Sequence, residues 1–115
     1  MPSVIYVNMN TCDRSARISV SRRDDGDFDV SIESDCENVQ RYAERLTTMT
    51  EMDIIDFSNS VVNRSGLRDM LTATCLVPMG VVYAASMEAG MMTKRIGDRV
   101  HADEIVIDRC REDDS

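Results

Sequence analysis

Ile32-Glu33-Ser34-Asp35-Cys36-Glu37-Asn38-Val39 decides the fold. Upstream, Phe28, Val30 and Ile32 alternate with Asp29, Ser31 and Glu33, the period of two of a half-buried strand. Downstream, Val39, Tyr42, Ala43 and Leu46 recur at helical spacing and make one apolar face. Between them, Ser34-x-x-Glu37 fits a capping box, in which Ser34 and Glu37 each satisfy the other's backbone N–H. The strand is expected to turn directly into a helix, with Cys36 in the first helical turn.

Working back, Ala16, Ile18 and Val20 alternate with Arg17, Ser19 and Ser21, a second strand over residues 15–22. Arg23-Asp24-Asp25-Gly26-Asp27 joins it to the third as a hairpin. Residues 3–9, Ser-Val-Ile-Tyr-Val-Asn-Met, form the first strand, followed by the polar turn Asn10-Thr11-Cys12-Asp13-Arg14. Three antiparallel strands with one polar face require a covering layer on the other.

Working forward, Thr50-Glu51-Met52-Asp53 opens a short helix by a similar box, with a short strand as the competing reading of Met52–Phe57. Leu67, Met70 and Leu71 suggest another short helix. Pro78 suits the first turn of a helix, and Met79–Ala89 continues as a largely apolar one stopped by Gly90. Cys75 then falls just before that helix. Arg99–Arg109 reads as a last strand, and residues 110–115 as a mobile acidic tail carrying Cys110. The expected architecture is one α+β domain over 1–109, an antiparallel sheet of three to four strands with helices on one face.

Composition narrows the function. The 115 residues carry a net charge of −8, which disfavours binding to a phosphate backbone. Twelve of the thirteen basic residues are Arg and only Lys94 is Lys; fourteen of the twenty-one acids are Asp. No apolar run reaches the roughly 20 residues of a membrane span, and the N-terminus lacks a signal-peptide pattern. The expectation is a cytoplasmic protein with no nucleic-acid or membrane partner; a protein partner and the oligomeric state stay open. No P-loop, dinucleotide fingerprint, His-Glu-x-x-His or Gly-x-Ser-x-Gly occurs, which points away from the common enzyme classes.

Four cysteines in such a chain argue against a disulfide framework. Cys12 precedes the second strand and Cys36 follows the third, so both lie at one end of a hairpin. Cys75, before a helix packed on that sheet, reaches the same edge. A thiol at a helix N-terminus is favoured as thiolate, and the carboxylates of Asp35 and Glu37 oppose that unless a cation is bound. Three thiolates with Asp13 or Asp35 as fourth ligand suit zinc or an iron–sulfur cluster. Separate buried thiols acting as small hydrophobes, and thiol redox or catalytic chemistry at Cys36, are the competing readings. His101 is expected to face solvent from the last strand, and Cys110 to be an incidental thiol.

The order strand, Cys12-Asp13 turn, two hairpin strands, Cys36, helices, Cys75, helix resembles the U-type iron–sulfur assembly scaffold family (the IscU and NifU N-terminal type). That resemblance covers roughly residues 3–90 in arrangement. It implies the same α+β fold and a three-cysteine cluster site at Cys12, Cys36 and Cys75. Ser34-Asp35-Cys36, Cys75-Leu76-Val77-Pro78 and Glu88-Ala89-Gly90 also resemble motifs of short archaeal, methanogen-type proteins of unknown function, which imply no particular activity.

Overall fold

The computed structural model of the protein describes residues 2–93 and 95–108. It is an α+β fold built on one antiparallel sheet in the order β1-β2-β3-β4. The strands are β1 (Ser3–Met9), β2 (Arg14–Arg22), β3 (Phe28–Ser34) and β4 (Thr48–Met49). Three of them follow the alternation in the sequence. The register places Ile5 opposite Ile18 and Ile18 opposite Ile32, with Val20 opposite Val30. One face is therefore apolar from edge to edge, and Val7, Ala16, Ile18, Val20, Phe28 and Val30 are buried on it. The other face carries Tyr6, Arg17 and Glu33 in one cross-strand row, with Arg17 Nε donating to the Tyr6 hydroxyl at 3.3 Å.

Gly26 supplies the positive φ of the β2–β3 hairpin, at +92°. The arginines there are paired: Arg23 with Asp25 at 3.2 Å, and Arg22 with Glu51 at 2.6 Å. Exposed pairs of this kind contribute little individually.

The apolar face is covered by α1 (Glu37–Arg45) against β3 and by α3 (Val77–Glu88) against β1 and β2. On α1, Val39, Tyr42 and the following Leu46 are buried, as the helical spacing requires. Tyr42 is enclosed completely and its hydroxyl donates to the Val62 carbonyl at 2.9 Å. The small residues of α3 let it lie close to the sheet. A Cβ on Gly80 would stand 2.5 Å from Val7 Cγ2 and 2.7 Å from Ile18 Cδ1. At the far end of α3, the Glu88 carboxylate accepts from Ser3 Oγ at 2.9 Å and from the Arg22 backbone N–H at 3.1 Å.

Between the two long helices the chain forms α2 (Glu51–Ile55) and three single 3-10 turns, at Phe57–Asn59, Val61–Asn63 and Arg68–Met70. The expected box at α2 is present: Asp53 Oδ2 accepts from the Thr50 backbone N–H at 2.8 Å. The other Asp53 oxygen accepts from Val61 N at 2.9 Å, so one carboxylate ties the helix start to the following loop.

Three local expectations are corrected. The box at Ser34 does not form. Pairing of β3 with β2 extends through Ser34, opposite Ala16, and the Ser34 hydroxyl is drawn to the Ser15 carbonyl at 2.6 Å. Cys36 thereby becomes the N-cap itself, and α1 begins at Glu37. The fourth strand is Thr48–Met49, paired with Phe28 and Asp29, not the C-terminal segment. There, α4 (Ile96–Arg99) makes one helical turn, and residues 100–108 run exposed without regular structure. Ile105, Val106 and Ile107 have strand-like side chains but, among the described residues, no neighbouring strand, and a strand's backbone groups need one. His101 is exposed, outside any strand. Arg109 and the tail 110–115 with Cys110 lie outside the described residues. Among the described residues, no helix is long and apolar enough to cross a membrane.

A three-cysteine cavity as candidate metal centre

The three cysteines come from three separate joints. Cys12 stands in the turn between β1 and β2, where Asp13 adopts a left-handed φ of +55° that reverses the chain. Cys36 caps α1, its N–H donating to Ser34 Oγ at 3.1 Å and its carbonyl accepting from Gln40 N at 2.9 Å. Cys75 sits two residues before α3. Its loop is held by Arg68, whose guanidinium donates to the carbonyls of Thr72 at 3.0 Å and Ala73 at 3.1 Å.

All three line one cavity of about 190 Å³, together with Met9, Arg14, Val39 and Leu71. Thr11, Asn38, Thr72 and Thr74 complete its rim. The thiols are unequally covered: Cys12 is exposed, whereas Cys36 and Cys75 are half-buried, and all three are free. The three thiols thus border one cavity. Among the described residues, however, no three His, Cys, Asp or Glu side chains stand close enough together to hold a metal ion as placed.

The two aspartates expected as fourth ligand do not line this cavity. Asp35 instead faces Arg14 at 3.6 Å and accepts from Ser15 N at 3.5 Å. Asp13 is an exposed turn residue.

A family model described as a family of unknown function, DUF6951, matches residues 3–98. The chain belongs to that family. No curated protein and no solved structure matches it. The match takes in all four strands of this DUF6951 chain and all three cysteines of the cavity.

One residue of the DUF6951 site went unread in the sequence. Met9, the last residue of β1, is buried at the cavity floor. Its Sδ accepts from the Cys75 thiol at 3.9 Å and from Leu76 N at 3.5 Å, and its carbonyl accepts from the Cys12 thiol at 3.9 Å. Strand parity could have found it, since Ser3, Ile5, Val7 and Met9 share the inner face. Burial pushes the Cys75 thiol above its ordinary pKa. A hydrogen bond from the Val77 backbone and the Arg68 charge oppose that, and Cys36 and Cys12 reinforce it. Among the influences on Cys75 are therefore both other thiols, as a shared cavity implies.

Proposed function

We propose that the protein is a small, non-enzymatic metal- or iron–sulfur-binding protein whose ligands are Cys12, Cys36 and Cys75. The observation that carries this is the meeting of three thiols, separated widely in sequence, at one cavity. Thiolates from three joints form a ligand set that soft and borderline metal ions favour. As placed the thiols border the cavity without forming a metal-holding group, so binding requires them to draw together. It replaces thiols by thiolates, and Arg68 beside Cys75 reduces the electrostatic cost of that change. The order of strands, helices and cysteines that resembles the U-type scaffold arrangement fits the same reading, with zinc or a cluster among the candidate cofactors and with neither Asp13 nor Asp35 lining the cavity.

The test is metal and sulfide analysis of protein prepared without oxygen. Stoichiometric metal is expected in the native chain and loss of it in Cys36→Ala and Cys75→Ala. Metal content indifferent to both substitutions sinks the proposal.

A second reading, an accessory interaction domain with structural cysteines, is favoured by a different observation. Met52, Ile55 and Phe57 on and beside α2 are 60, 63 and 42 % exposed, which leaves an apolar patch open to a protein partner. This reading expects no bound metal and a Cys75 that labels slowly until the chain unfolds.

A further inference from the structure

We infer that the three-cysteine site is completed by the thioether of Met9, and that this all-sulfur donor set selects a soft monovalent ion of the copper(I) class. The inference rests on the metal-binding reading above and names its ion. Met9 is 7 % exposed, with its sulfur already 3.9 Å from Cys75 Sγ. The Leu76 N–H approaches the same sulfur at 3.5 Å and holds it in place at the start of α3. When Cys75 gives up its proton on binding an ion, the thiol no longer donates to Met9. The thioether lone pair that accepted it then becomes a ligand position aimed at the same ion.

The hard donors point elsewhere. Asp35 is occupied by Arg14 and Ser15, Asp13 sits outside the cavity lining, and no carboxylate or imidazole lines the cavity among the described residues. Thiolates serve copper(I) and zinc alike, so the thioether is the discriminating donor: it suits copper(I), whereas zinc is held by thiolate, imidazole or carboxylate. A monovalent ion also leaves a thiolate set more negative than zinc does. Arg68, whose guanidinium holds the Thr72 and Ala73 carbonyls just before Cys75, supplies positive charge against that excess. The ion enters and leaves as copper(I), the thiol protons pass to solvent, and no electron is transferred.

The experiment titrates reduced, oxygen-free protein with copper(I) and, separately, zinc(II), each against a competing chelator. The native chain is expected to take up one copper(I). Met9→Leu, a volume-conserving change that usually costs under about 1.5 kcal/mol of stability, keeps the core filled. It is expected to weaken copper(I) by at least the roughly tenfold seen when even an outer-shell partner is lost. Zinc(II) affinity is expected to stay within about twofold, because zinc gains little from a thioether. Asp13→Asn and Asp35→Asn are expected to leave copper(I) binding unchanged. Copper-edge X-ray absorption on selenomethionine-labelled protein reads the contact without any substitution: a selenium neighbour to copper is expected, and its absence overturns the assignment. Equal copper(I) affinity in Met9→Leu overturns the role of Met9 but leaves a three-cysteine site standing. Failure of the native chain to bind either ion overturns both.

Discussion

Gly80 is where the packing of α3 on the sheet is most exacting, and Gly80→Ala is the sharpest test of it. The added methyl would lie 2.5 Å from Val7 Cγ2 and 2.7 Å from Ile18 Cδ1. Carbon atoms prefer a separation of about 3.5–4.0 Å, so α3 or both side chains must give way by roughly 1 Å. Ile18 can swing its terminal methyl aside. Val7 has no such freedom, because its methyls branch directly from Cβ. Overpacking of this kind costs about 1–3 kcal/mol, and replacing Gly by Ala in a helix returns at most about 1 kcal/mol. The expected net loss is about 1–2 kcal/mol, read as a lower urea midpoint with an unchanged slope. A double-mutant cycle isolates the cause. Val7→Ala removes the obstructing methyl, so the double variant should be more stable than the sum of the single losses predicts, by about 1 kcal/mol. Because α3 begins just after Cys75, lifting it also draws Leu76 N away from Met9 Sδ. On the metal-binding proposal, copper(I) affinity should therefore fall along with stability. A Gly80→Ala protein as stable as the native chain, with additive behaviour in the cycle, would refute this account of the α3–sheet contact.

Two further outcomes follow from buried polar groups. Tyr42→Phe leaves the Val62 carbonyl without its 2.9 Å partner inside the core, and should cost about 1–2 kcal/mol in urea unfolding; no loss would mean that the bond contributes nothing. The protein, with no metal added, should also lose stability as the medium turns alkaline. Burial raises the folded pKa of Cys75 above the ordinary thiol value of 9.0 and that of Tyr42 above the ordinary phenol value of 10.0, so the unfolded chain ionises first. The contribution is complete below the unfolded pKa and is lost as pH rises toward the folded one. Urea unfolding from about pH 8 to about pH 11 should show the decline, Cys75→Ser should remove its earlier part and Tyr42→Phe its later part, and a flat profile in the native chain would contradict both burials.

The sheet was legible in the sequence because β1, β2 and β3 each bury one face, and burial imposes a period of two on the residues themselves. The helices α1 and α3 were legible from Val39–Tyr42–Leu46 spacing and from Pro78 and Gly90. Other features were decided by neighbours. Thr48–Met49 is too short to carry a period and becomes a strand only because Phe28 and Asp29 offer it an edge. Residues 105–107 have the composition of a strand and lack that edge. Ser34 has the composition of a cap, but strand pairing extends through it to Ala16, and its hydroxyl oxygen accepts from Cys36 N rather than from Glu37 N.

The opening stretch shows the same division. That a strand passes into a helix at Ser34-Asp35-Cys36-Glu37 is a local fact, dictated by side-chain periodicity on either side of the joint. That Cys36 is itself the cap, and that Cys12, Cys75 and the sulfur of Met9 face the same cavity, depends on how a hairpin and a distant helix end meet. Periodicity reports which face of an element is buried, and so it places each cysteine on its joint. It carries no record of distance between joints, so only the packing of α3 and the Arg68-held loop against the sheet brings the sulfurs to one cavity.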